Sequence, residues 1–167
     1  MAVVNALSSD VSALDAIPPE LVGRGLSYGS IQYRYSSVVV TNGDSIGSTY
    51  RFFRCHSDWV YLGSEVTYRA IGDTGALLEL GMYRIASEGG AVADANSVFE
   101  GENIEARGSS GWIVHPLVLA GGTRPIVASL AASSVQPRWY DMVATLSGAA
   151  MDADGSVACL AFFGILN

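Results

Sequence analysis

Apolar and polar residues alternate with period two through much of the chain. In Trp59–Ala70, Val60, Leu62, Val66 and Tyr68 fall on one side, and Tyr61, Glu65, Thr67 and Arg69 on the other. That is the pattern of a strand with one face on a core. Ser48–Cys55 and Ala76–Ile85 are also of strand length, and Gly72-Asp73-Thr74-Gly75 supplies a turn before the latter. Upstream, Ile31, Tyr33 and Tyr35 alternate with Gln32 and Arg34; Val38–Val40 close the run, and Asn42-Gly43 marks another turn. Downstream, Ser87–Ala95 reads as a loop, Val98–Ala106 as the place of a short strand and Arg107–Gly111 as loop again. Trp112–Ala120 reads as a strand that Pro116 confines to an edge or a bulge. One helix is expected, capped by Thr123 and running from Arg124 to about Ala132, with Ile126, Val127 and Leu130 on one face. Two strands follow, Trp139–Leu146 and Val157–Leu166, with Asp154-Gly155 between them read as a hairpin turn.

The final strand is apolar on both faces. Val157, Cys159, Ala161 and Phe163 lie on one side, and Leu160, Phe162 and Leu166 on the other. A strand of that kind is covered twice, so Leu160, Phe162 and Leu166 are candidates for a contact with another copy. About eight strands and one short helix, joined by Gly-rich turns, predict an all-β chain with a jelly-roll-like sandwich. That domain is expected over 28–167, with an extended arm over 1–27. The arm carries Val3, Val4, Leu7, Val11, Leu14, Leu21 and Val22, thinly spread and interrupted by Pro18-Pro19. Such a segment can line a groove but cannot build a layer of its own.

Composition sharpens this picture. Of 167 residues half are hydrophobic and only 15% charged, well under the usual quarter. The shortfall suggests that part of the surface is buried in an assembly. The net charge is −7, and all nine basic residues are Arg. An acidic chain with scattered Arg argues against nucleic-acid binding, which needs clustered positive charge. The N-terminal segment lacks a basic leader, and no apolar run approaches the length of a membrane span, so synthesis in the cytoplasm and no membrane partner are expected.

Candidate chemistry is sparse. Asp73-Thr74-Gly75 matches an aspartic-protease half-site locally, but its flanks lack the expected strand pair, and a β-turn fits better. Asp152, Asp154 and Gly155 match part of a calcium loop, but Ser156 and Phe163 stand where further ligands are needed. Cys55, His56 and Asp58 write a nucleophilic set on paper, yet neighbours in a strand point to opposite faces. His115 is the other histidine, and zinc would need four clustered ligands. Neither catalysis nor a metal or cofactor is expected, and Cys55 and Cys159 read as free, buried thiols. Tyr28, Tyr33, Tyr35, Tyr50 and Tyr61 are read first as core and cross-strand packing. A contact surface is the functional alternative.

The order of features from Gly47 to Ala91 and on to Ala95 is distinctive. Gly-Ser precedes an aromatic-rich strand and then a Trp-started strand. A Gly-Asp-Thr-Gly turn follows, then Leu-Glu-Leu-Gly-Met-Tyr and Gly-Gly-Ala-Val-Ala-Asp-Ala. With the arm before and the helix and two long strands after, this layout resembles the head decoration (cement) proteins of tailed bacteriophages. The resemblance implies a structural virion protein, made in the host bacterium and placed on the outer surface of the head. Its partners would be the major capsid protein, reached by the arm residues named above, and other copies of itself, as a trimer or else a dimer. A binding module for carbohydrate or a host surface is the alternative function, and an exposed row of Tyr or Trp would mark it.

Overall fold

Among the described residues, eight strands pair in a nested order. The computed structural model describes residues 30–106, 108–111, 126–131 and 138–165. The strands are β1 (Ser30–Val40), β2 (Thr49–His56), β3 (Val60–Tyr68), β4 (Leu77–Arg84), β5 (Val92–Asn103), β6 (Gly108–Ser109), β7 (Trp139–Ser147) and β8 (Gly155–Ile165). One sheet has the order β1-β8-β3-β6 and the other β2-β7-β4-β5. First strand pairs with last, second with seventh, third with sixth and fourth with fifth, all antiparallel. This is the winding of a jelly roll, one long folded ribbon wrapped into two sheets. The all-β sandwich expected from the sequence is therefore present. The arm, Tyr28, the Trp112–Ala120 strand, His115 and Leu166 lie outside the described residues.

Nesting changes the meaning of the turns. β1 and β2, β3 and β4, and β7 and β8 belong to opposite sheets. Asn42-Gly43 and Gly72–Gly75 therefore sit in connections that cross between sheets, as does Asp154, while Gly155 opens β8, so Asp154-Gly155 is no hairpin. These connections hold one another by backbone hydrogen bonds. Gly43 N–H donates to the Met151 carbonyl, and Met151 N–H to that of Asp44, both at 2.9 Å. Asp73 N–H donates to Ala150 at 3.1 Å, and Asp152 N–H to Ile71 at 3.0 Å. Gly43 at φ 89 and Gly75 at φ 87 supply the left-handed backbone these bends require.

Between the sheets lies the core. Val66, Val157, Cys159, Ala161 and Phe163 face Leu78, Leu80, Met82, Met142, Ala144 and Leu146, all fully buried. Each large side chain buried this way contributes about 1.5–3 kcal/mol. Cys55 Sγ lies 3.9 Å from Met82 Sδ, and Cys159 Sγ 3.9 Å from Met142 Sδ. The two cysteines belong to opposite sheets, and both are free and buried.

Four local expectations need correction. In β3, Tyr61 pairs with Phe163 and Gly63 with Phe162, leaving Leu62 as an extra residue. This bulge reverses the alternation: Tyr61 enters the core, fully buried, and Leu62 is only half-buried. The segment 92–103 is one strand, although its register with β4 shifts three times. The loop expected at 107–111 contains β6, which pairs Gly108 with Tyr68 and Ser109 with Thr67. The helix, α1 (Val127–Leu130), begins later than expected. Ile126 is extended and bridges to Val60, while Val127 and Leu130 are buried.

Candidate interaction face

The outer face of the β2-β7-β4-β5 sheet is already occupied. Arg51 Nη1 donates to Asp141 Oδ2 at 3.0 Å and to the Arg84 carbonyl at 3.1 Å. Its Nη2 donates to the Gly90 carbonyl at 2.8 Å, and its guanidinium lies 5.4 Å from the Tyr83 ring centre. Arg54 Nε donates to the other oxygen of Asp141 at 3.1 Å. Together these bonds tie the β4–β5 connection, with its 3-10 turn Ala86–Glu88, to the sheet. Further along, the backbone of Asp94 and Ala95 crosses directly over Gly81.

The outer face of the β1-β8-β3-β6 sheet is open along β1. Ile31 is 69% exposed, Tyr33 71%, Tyr35 65% and Val39 77%. Register places these beside the outward residues of β8: Tyr33 next to Phe162, Tyr35 next to Leu160, Val39 next to Ser156. Tyr33 and Phe162 are in ring contact, with centroids 6.5 Å apart. On the far side Glu65 flanks Leu160 and Thr67 flanks Ala158. The row Ser37–Ala158–Thr67 has only small side chains, and it leaves a hollow of about 380 Å³ bordered by Tyr35, Arg69 and Ser156. Contiguous exposed apolar residues of this kind commonly mark interaction sites.

Leu160 and Phe162 are thus half-buried on the outer face, where the two-sided pattern of the last strand puts them. The tyrosines divide: Tyr50 and Tyr61 join the core, whereas Tyr33 and Tyr35 face outward. The sequence carried one signal for this division. A last strand apolar on both faces needs a neighbour that is apolar outward, and Ile31, Tyr33 and Tyr35 alternate in that way.

The residues tested for chemistry stay apart or serve structure. Cys55 points into the core, and burial, with Asp141 adding to it, pushes its thiol far up. Burial pushes Cys159 up to about 12. His56 Nδ1 accepts from the Asp58 amide at 3.3 Å and lies 3.6 Å from its carboxylate, with the His56 ring edge-on to Trp139. Asp73 Oδ1 accepts from Thr74 N–H at 2.7 Å, its own turn. Asp154 Oδ1 accepts from Asn42 N–H at 2.8 Å. No group of three His, Cys, Asp or Glu residues among those described is placed to hold a metal.

The sequence matches no protein-family model and no curated protein. Solved structures do match. A chain of the cyanophage Pam1 capsid asymmetric unit superposes with a TM-score of 0.59 at 15% identity, covering 90% of this chain and 96% of that one. The chain shares its fold with a virus-capsid chain. A second match, from infectious bursal disease virus strain Gx, has a TM-score of 0.51 at 11% identity. It covers 84% of this chain but only 33% of that one, so this jelly roll corresponds to part of a larger protein there. At such identities the likeness concerns architecture. In this jelly roll, the open stripe on β1 and β8 is the feature that architecture alone leaves unexplained.

Proposed function

We propose that this chain is a structural protein of a bacteriophage particle. It binds the outer surface of the head and cements neighbouring major capsid protein subunits, stabilising the expanded shell. It needs no catalytic residue and no cofactor. The observation that carries this reading is the apolar outer stripe of Ile31, Tyr33, Tyr35 and Val39 on a fold shared almost end to end with a capsid chain. Interfaces favour Tyr for its large area and low ordering cost. Val3, Val4, Leu7, Val11, Leu14, Leu21 and Val22 form the strap: a groove contact of several hundred Å² contributes several kcal/mol before ordering costs. Self-association accompanies attachment, as the trimer the resemblance implies or as a dimer, with Leu160, Phe162 and Leu166 at or near the contact. Repetition on a lattice then adds avidity.

Co-sedimentation with expanded, empty phage heads tests the attachment. The full chain is expected to pellet with heads and to raise their melting temperature by linkage. A chain starting near Leu26 is expected to keep its β-rich circular dichroism and bind at least tenfold more weakly. Failure of the full chain to bind any expanded head would overturn the reading. The hollow beside Tyr35 favours a second reading, a surface that holds a sugar between a tyrosine ring and the hydroxyls of Ser37, Thr67 and Ser156. Binding on a glycan array without binding to heads would select it.

A further inference from the structure

The four sheet edges among the described residues differ in how they are protected. β6 has only two residues. β2 carries a bulge between Arg51 and Phe53. β5 shifts register three times against β4. Short strands and bulges are the usual means by which edges avoid pairing with other chains. β1 has neither. Its eleven residues run in unbroken register with β8, from Ser30 opposite Ile165 to Val40 opposite Gly155. It contains no Pro and one charge, Arg34. Its other edge is unpaired among the described residues. That is about 36 Å of open backbone donors and acceptors.

We infer that two copies of this chain pair through β1, edge to edge and antiparallel, about a two-fold axis at Tyr35, joining their sheets into one of eight strands. The inference specifies the self-association in the function proposed above and rests on it only for the reason copies meet. A strand can pair with itself only in registers that keep each side chain on its own face, because a one-residue slip turns every residue over. The permitted centres are therefore residues, not the bonds between them. Tyr35 is the midpoint of β1, and centring there engages all eleven residues. Ile31 then faces Val39, Tyr33 faces Ser37 and Tyr35 faces its mate, so the exposed stripe continues across the axis. On the other face Arg34 meets Ser36. Centring on Arg34 would instead oppose two guanidinium groups, which is unfavourable, and centring on Ser36 leaves Ile31 without a partner. An isologous contact of this kind closes at two copies.

Cysteine cross-linking in the full chain reads the register directly, since Cys55 and Cys159 are buried. Tyr35→Cys places two thiols opposite each other at a strand-pair separation compatible with a disulfide. Mild oxidation is expected to convert most of it to a covalent dimer. Ile31→Cys alone and Val39→Cys alone are expected to stay uncoupled, because each lies about 26 Å from its own mate. Their equimolar mixture is expected to cross-link. Tyr35→Asp, at an exposed position, is expected to keep the circular dichroism spectrum and raise the dimer dissociation constant at least a hundredfold, since like charges would meet at the axis. A Tyr35→Cys chain that does not cross-link would overturn the inference, as would an Ile31→Cys chain that couples to itself. A trimer or monomer by sedimentation equilibrium would do the same. Head binding, measured on the same preparations, separates the two claims. Binding without the cross-link removes β1 pairing alone; the cross-link without binding removes attachment alone.

Discussion

Asp141 shows how one residue organises a surface. Its carboxylate is nearly buried, and each oxygen accepts from a different Arg, Arg51 at 3.0 Å and Arg54 at 3.1 Å. Arg51 then reaches the carbonyls of Arg84 and Gly90. Asp141→Ala leaves both guanidinium groups short of a partner and loosens the β4–β5 connection. A cost of about 1.5–3 kcal/mol is expected, the range for hydrogen bonds to charged groups, read as a lower urea midpoint at unchanged slope. None of this was legible beforehand, because Asp141 lies 90 residues from Arg51 and 87 from Arg54, and only the β2–β7 pairing unites them. The bulge at Leu62 was hidden for a related reason. An inserted residue keeps every residue type plausible for a strand and changes only which of them face inward.

Among the elements, the β4–β5 pair has the tightest geometry. A Cβ on Gly81 would stand 2.1 Å from the Asp94 carbonyl oxygen and 2.4 Å from the Ala95 carbonyl carbon. Both are backbone atoms and cannot swing aside. Gly81→Ala therefore forces the first half of β5 away from the sheet. An expected loss of about 1–3 kcal/mol, with hydrogen exchange accelerating first at 92–98, would check this. Gly75→Ala instead has open space around it, and only its positive φ opposes the change. The strands β2, β3, β4, β7 and β8 were readable within a residue or two because each carries an apolar face. The two-residue β6 was not, because so short a strand has no period to detect.

The whole molecule should be sensitive to alkali. Burial pushes the Tyr61 hydroxyl well above its ordinary value, as it does for Tyr50 and Tyr68, whose neighbours Asp44 and Glu102 add to the effect. Below pH about 10, the unperturbed tyrosine value, these groups are protonated in folded and unfolded chains alike. Above it the unfolded chain releases protons that the folded chain retains, so stability falls as pH rises. Stability to urea is expected to begin weakening above about pH 8.5, the unperturbed cysteine value, because Cys55 and Cys159 are also raised by burial, and to weaken more steeply above about 10 as the tyrosines join them. A stability that stayed constant to pH 12 would contradict the burial of these hydroxyls. At this scale the fold class was legible from strand count and turns, whereas the winding was not: a Gly-rich bend reads the same whether it closes a hairpin or crosses between sheets.

The position of β8 has a consequence for how the chain reaches this state. It is the last of the described strands in chain order, yet it lies in the middle of its sheet, between β1 and β3. Until it is in place, β1 has no neighbour among the described strands and β3 has only the two residues of β6. A nascent chain emerging from the ribosome therefore cannot assemble that sheet strand by strand. Its contacts close only when positions more than a hundred residues apart meet, as Val40 and Gly155 do, and such topologies fold slowly. During that interval the alternating apolar residues of β1 are exposed to every other unfinished chain nearby. The edge proposed to serve association in the finished protein is then an aggregation hazard during folding, and rapid completion of β8 limits the time for which that hazard exists.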